Sequence, residues 1–283
     1  MLREQPSRTV LRPAILRAAH QVLDTPLIFA DPIAVGLVSQ ASKQAILAAA
    51  DDFRSQQVTS LRSLMVLRSR FAEDRLAEAS VRGVRQYVIL GAGLDTFPWR
   101  QPVFAHQTRI FVADHPATLS WTRQRLRERG LSRPSNLAFV PVDLEERRLL
   151  ERLAEVGFDP RVPTFCSALG LIQYLSSSAA DALLEFGTLL PSGSEFTFTF
   201  ALPGEELHGD DVDEASGSAS RSEVLREPWK SRHRAGDLVE RFARLGFTDI
   251  FHLTPDLAQQ RYFSGRQDAL RVPRFEQLIS AIV

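Results

Sequence analysis

Tyr87-Val88-Ile89-Leu90-Gly91-Ala92-Gly93-Leu94-Asp95-Thr96-Phe97-Pro98-Trp99-Arg100 decides how this chain of 283 residues is read. Preceded by Gln86, the apolar run has the length and continuity of a strand buried on both faces, as in a parallel sheet. Gly91 and Gly93 end it. Lacking a Cβ, they permit a sharp turn and let a ligand approach the backbone. Dinucleotide-binding folds open the same way, but they want a third glycine where the next helix packs against the strand. Position 96 is Thr and Phe97-Pro98 follows at once, which disfavours an early phosphate-binding helix. A glycine loop that holds no ligand stays open at this point.

Outward from that stretch the pattern repeats. Residues 109–113 form a second apolar run ending at Asp114, and 137–142 a third ending at Asp143. Residues 164–171 contain a fourth strand, and 195–201 alternate Phe with Thr at the period of two that marks another. Helical spacing occupies 119–129, 179–190 and 235–245, the last closed by Gly246. Residues 247–253 read as a late strand, and Tyr262-Phe263 as part of a further one. Strand then helix, repeated, predicts an α/β fold with a doubly wound, mainly parallel sheet. Before residue 86 the signals are helical: 10–23, a helix begun by Asp31-Pro32 with Ile33, Leu37 and Val38 as its stripe, and an amphipathic stretch at 61–79. The division expected is an N-terminal helical cap at 1–80 and a core at 81–283. A lid-like insertion falls at about 203–234, where 203–222, rich in Gly, Ser, Asp and Glu, reads as a mobile loop.

Composition excludes several classes. Lys+Arg and Asp+Glu each total 34, so no global charge favours nucleic acid or an anionic membrane. Lys43 and Lys230 are the two lysines, leaving 32 arginines, a bias that points to a GC-rich coding sequence. Cys166 is the single cysteine, which rules out an intramolecular disulfide and a cysteine-rich metal site; no metal is expected, and a cytoplasmic setting is. No apolar run approaches the roughly 18 residues that span a bilayer. Arg3, Arg8, Arg12 and Arg17 against Glu4 give the N-terminus a transit-peptide look, but the arginines match the chain's bias and no secretory apolar region follows. Oligomeric state leaves no signal in the pattern.

Asp114 lies 21 residues beyond Gly93, where an acidic side chain accepts hydrogen bonds from both ribose hydroxyls of an adenosine-containing cofactor. Capping a helix that starts near Pro116 is the competing role, and the two can coexist. Asp143 precedes Leu144 at the end of the third strand, where a carboxylate could meet an adenine amino group. It could equally cap a helix, with Glu145-Glu146 in an acidic first turn.

In this order the pieces resemble the leucine carboxyl methyltransferase family, and more closely its bacterial branch of S-adenosyl-L-methionine-dependent methyltransferases. Phe29-Ala30-Asp31-Pro32-Ile33-Ala34 and Arg68-Ser69-Arg70-Phe71-Ala72-Glu73-Asp74 are similar to its N-terminal element and arginine-containing helix. Val88 to Thr96, Phe111-Val112-Ala113-Asp114-His115-Pro116, Val140 to Leu144 and Leu171-Ile172-Gln173-Tyr174-Leu175 follow. The likeness spans about residues 8–200, and Arg261-Tyr262-Phe263-Ser264-Gly265-Arg266 is similar as well. It implies a class I methyltransferase (Rossmann-like) fold with S-adenosyl-L-methionine as cofactor. Arg68 would pair with the methionine carboxylate, with Arg70 as the fallback. Gly91, Ala92, Gly93 and Asp95 would pass beneath the methionine portion. Asp114 with His115 would hold the ribose, Asp143 with Leu144 would frame the adenine, and Ser167 would border the site after the fourth strand.

Two departures stand out. Relatives often carry an acid where this chain has Val112, and many have Glu within the segment that is Ser167-Ala168-Leu169-Gly170 here. The function expected is O-methylation of a hydroxyl or carboxylate on a small molecule, polyketide-like or another secondary metabolite. The alternatives are a noncatalytic S-adenosylmethionine-binding or regulatory protein and an NAD(P)-dependent oxidoreductase. A carboxylate nucleophile needs no general base, whereas a phenol benefits from one. His106, His115, His208, His233 and Tyr174 are conceivable, and Tyr174 is favoured by its place after the fourth strand. A packing role for Tyr174 is the preferred reading, so no catalytic residue is assigned. Trp229 and Phe53 could wall the acceptor or serve as core.

Overall fold

The computed structural model describes residues 7, 9–268 and 270–283; Arg3, Glu4 and Arg8 of the basic N-terminal run lie outside them. Helices α1 (Leu11–Leu23), α2 (Lys43–Ala48), α3 (Ala50–Arg54) and α4 (Gln56–Val81) precede the first strand. After them come β1 (Gln86–Leu90), α5 (Phe97–Arg100), β2 (Arg109–Asp114), α6 (Pro116–Glu128), β3 (Leu137–Pro141), α7 (Leu149–Glu155) and β4 (Thr164–Ala168). The chain continues through α8 (Ser177–Phe186), β5 (Glu195–Ala201), α9 (Asp210–Val224), α10 (Ala235–Arg244), β6 (Asp249–Leu253), α11 (Pro255–Tyr262) and β7 (Glu276–Ile282). The strands form one seven-stranded sheet in the order β3-β2-β1-β4-β5-β7-β6. β1 to β5 are mutually parallel, and β7 runs antiparallel to both β5 and β6. The mainly parallel, doubly wound sheet is therefore as expected.

Alternation along the strands builds the two faces. Val88, Leu90, Phe111, Cys166, Phe196, Phe198 and Phe200 enter one core, and Tyr87, Ile89, Ile110, Val112 and Phe165 enter the other. Val112 is thus plain core. Order reverses at β1, with β2 on one side and β4 on the other, which opens a crevice at the carboxyl ends where α/β sheets bind ligands. Register fixes what reaches it: Leu90 pairs with Ala113 and with Ala168, so Gly91, Asp114 and Leu169 leave the sheet at one edge.

Several local expectations are corrected. The segment 203–222 is mostly helix, not loop. Its low helix propensity is offset by Asp210, Asp211 and Asp213 in the first turn of α9 and by buried Glu214, which accepts from Ser60 Oγ on α4 at 2.5 Å. Tyr262-Phe263 ends α11, and the strand missed lies at β7. Asp31-Pro32 starts a single 3-10 turn because Gly36, at φ 77°, turns the chain away. Asp31 caps Ala34 and pairs with Arg17 at 3.0 Å instead. Among the described residues no helix is long and apolar enough to cross a membrane.

Candidate active site

A cavity of about 650 Å³ occupies the carboxyl edge of β1, β2 and β4, roofed by α1, α4 and α9. Gly91 and Gly93 take positive φ (62° and 54°), and a Cβ on Gly93 would fall 3.0 Å from Val10, so the residue before α1 sits directly on the loop. Three hydrogen bonds fix that loop. Gly93 N donates to Asp114 Oδ2 (2.7 Å), Thr122 Oγ1 donates to Gly93 O (2.9 Å), and Arg17 Nη2 donates to Leu94 O (2.6 Å).

Asp114 is buried and takes its second amide from His115 N at 2.7 Å. Burial pushes its carboxyl up to about 6 against the opposing pull of those two amides. It does not cap α6. His115 does, accepting from Ala117 N through Nδ1. Asp143 likewise caps no helix: Oδ1 accepts from Glu145 N in a turn, and α7 starts only at Leu149. Asp95 binds the first amide of α5, Phe97 N, at 2.8 Å. That occupied amide, on a helix of four residues, leaves little for a pyrophosphate.

Of the cofactor residues expected, Arg68, Gly91, Ala92, Gly93 and Asp95 line the cavity, as do Asp114, His115, Asp143, Leu144 and Ser167. Ser167 turns its hydroxyl to Tyr87 Oη at 2.9 Å. Arg70 is the exception. It lies outside, pairing with Asp74 at 2.8 Å and covering Tyr262, because two helical positions carry it some 200° around α4 from Arg68. Among the described residues Arg68 makes no hydrogen bond, and its nearest acid is Glu276 at 3.6 Å, so a buried fork is left for a carboxylate. Tyr174 lines the cavity with its hydroxyl 3.3 Å from Ser222 Oγ, and burial raises its phenol above the ordinary value.

Other lining residues gave no signal in the sequence reading. Arg12 of α1 and Arg221 of α9 form no ion pair among the described residues, and burial first, then Arg221, lowers Arg12 to about 10. Glu276 and Gln173 meet at 3.0 Å on the far wall. Ser7 and Thr9 donate to Glu227 at 2.7 Å, strapping the N-terminal segment to the chain after α9. Among the described residues no group of His, Cys, Asp or Glu could hold a metal ion.

Sheet order, glycine loop and strand-end acids together define a class I methyltransferase. Residues 10–188 match the family described as leucine carboxyl methyltransferase. The chain is 29% identical to YktD of Bacillus subtilis, named as a candidate S-adenosyl-L-methionine-dependent methyltransferase, over 95% of each chain. It is 35% identical to a Mycobacterium marinum protein named in the same way, over 68% of this chain and 64% of that one. The fold matches the crystal structure of a candidate methyltransferase from Thermobifida fusca, with a TM-score of 0.62, 15% identity, and 98% and 95% coverage. A DUF574 family protein from Streptomyces avermitilis gives 0.59 and 14%, with 94% and 96% coverage. The chain belongs to the leucine carboxyl methyltransferase family, whose members draw their methyl group from S-adenosylmethionine. Neither the oxidoreductase nor the noncatalytic reading is favoured by these relatives.

Proposed function

We propose that this chain transfers the methyl group of S-adenosylmethionine to the hydroxyl or carboxylate of a small organic acceptor. One observation carries the reading: the glycine loop, Asp114 and the unbonded fork of Arg68 converge on a single cavity. When bound, the cofactor supplies an electrophilic methyl group. Arg68 would hold its carboxylate, Asp114 its ribose hydroxyls, and Asp143 with Leu144 its adenine. The protein's remaining work is to align the acceptor and exclude water. Residues 1–80 act as the cap and 81–283 as the core. α9 is the lid, with Leu16, Leu61 and Trp229 giving the acceptor space apolar walls.

Arg12 and Arg221 favour an anionic acceptor. Two half-buried guanidinium groups close enough to repel each other lower that cost when they share a carboxylate. A carboxylate that is itself methylated needs no base, which fits a cavity whose one phenol, Tyr174, is held neutral by burial.

Thermal-shift titration with S-adenosylhomocysteine and NAD, followed by a labelled-methyl screen of aromatic and aliphatic carboxylic acids against their amides, tests this. Stabilisation by S-adenosylhomocysteine and label in the acids alone are expected. Stabilisation by NAD alone removes the reading, and equal labelling of the amides removes the anionic acceptor.

A further inference from the structure

Arg68 and Glu276 share a cavity wall without bonding to each other. Arg68 Nη1 stands 3.6 Å from Glu276 Oε1, and the side chains are 11% and 3% exposed. Glu276 Oε2 accepts from Gln173 Nε2 at 3.0 Å, but Oε1 has no hydrogen-bond partner among the described residues. Buried polar atoms are nearly always hydrogen-bonded, and at 3.6 Å the two side chains form a loose ion pair without a hydrogen bond, so the exception calls for an explanation. Register brings Glu276 here. It opens β7 opposite Ala201 at the carboxyl end of β5, and β5 lies beside β4. Arg68 is pressed against the turn that follows β4, where a Cβ on Gly170 would lie 2.3 Å from Nη1.

A ligand of one sign cannot satisfy this pair. An anion would serve Arg68 and repel Glu276, and a cation would do the reverse. An α-amino acid end carries both charges on one carbon. We propose that Arg68 and Glu276 form a clamp for a zwitterionic amino-acid group, with Glu276 taking the ammonium of the cofactor whose carboxylate Arg68 holds. This rests on the S-adenosylmethionine reading above.

Calorimetric binding of three probes tests the clamp: S-adenosylhomocysteine, its desamino analogue, and 5′-methylthioadenosine, which lacks the amino-acid end. Glu276→Gln is expected to lose about 10- to 100-fold affinity for S-adenosylhomocysteine, the scale of one charge-assisted hydrogen bond, and none for 5′-methylthioadenosine. The desamino analogue should bind the wild-type protein about tenfold or more weakly than S-adenosylhomocysteine, and Glu276→Gln should erase that gap. If Glu276→Gln does not fold, Glu276→Asp, which keeps the charge on a shorter stem, should narrow the gap. An unchanged gap in the folded variant overturns the clamp, as does equal loss for all three probes. A wild-type protein that binds neither S-adenosylhomocysteine nor 5′-methylthioadenosine overturns the cofactor reading itself.

Discussion

Arg68 and Arg75 stand two turns apart on one face of α4, yet they serve opposite edges of the sheet in opposite ways. At the amino end of β5, Glu195 is fully buried and both its oxygens are taken. Arg75 Nε donates to one at 2.5 Å, Arg82 donates to the other, and Ser280 Oγ adds a third bond. At the carboxyl edge, Glu276 and Arg68 stay 3.6 Å apart, and Glu276 Oε1 has no hydrogen-bond partner among the described residues. The residue types are the same and the helix is the same. A carboxylate with both oxygens bonded ties α4 to the sheet, although Arg75 Nη2 beside it has no hydrogen-bond partner among the described residues, and a half-bonded carboxylate faces the cavity. Completeness of bonding at the carboxylate therefore separates the structural acid, Glu195, from the one kept for a ligand, Glu276.

That contrast can be broken from the structural side first. Glu195→Gln leaves Arg75 and Arg82 facing a neutral amide in a buried site. Such a loss costs about 3–5 kcal/mol, and urea unfolding should register it. Affinity of the remaining folded protein for S-adenosylhomocysteine should stay within about twofold. A cost below about 1 kcal/mol would place Glu195 with ordinary surface pairs. Arg68→Ala should do the opposite: about 1–3 kcal/mol weaker binding of S-adenosylhomocysteine, with little change in the urea midpoint. Asp114→Ala should lose affinity on the same scale.

Acid sharpens the comparison further. The Asp114 carboxyl sits at about 6 in the folded protein against an ordinary 3.8, chiefly through burial. Between those values the native chain binds the proton more tightly than the unfolded chain. Stability from this group is therefore full below about 3.8 and lost as pH rises through about 6. Ribose hydroxyls donate to the ionised form, so binding runs the other way. Affinity for S-adenosylhomocysteine should fall by up to about tenfold per pH unit below about 6. A flat profile from pH 5 to 8 would remove Asp114 as the ribose acceptor.

Legibility in the sequence follows the same division. β1, the glycine loop and Asp114 were readable because parallel strands are continuous apolar runs with a glycine or acid marking the end. Arg68 was placed ahead of Arg70 by the resemblance alone, because the contacts that turn Arg68 to the cavity and Arg70 away, α4 against the sheet, lie in no short window. α9 was hidden by its serines and glycine, and its helix is held by Glu214 against Ser60, 154 residues away. β7 and Glu276 were missed for a related reason. The end of α11 was read as a strand, which hid the helix before β7, and the antiparallel slot between β5 and β6 leaves no mark in a local pattern.

Tyr174 gives the smallest expected effect and the finest test. It sits on the 3-10 turn after β4, lines the cavity, and has its hydroxyl partnered by Ser222 of α9. By the criterion of completed bonding it belongs with Glu195, as a residue that fixes α9 to the core. Burial keeps the phenol protonated at neutral pH, so it offers no base. Tyr174→Phe should cost about 0.5–1.5 kcal/mol of stability, the worth of one hydrogen bond, and change kcat by less than about threefold. Its pH profile should overlay that of the wild type. A general base contributes about 100-fold or more. A loss of that size with an altered alkaline limb would show that a satisfied bond in the resting protein can still be a working one, and bonding completeness would then fail as the dividing criterion.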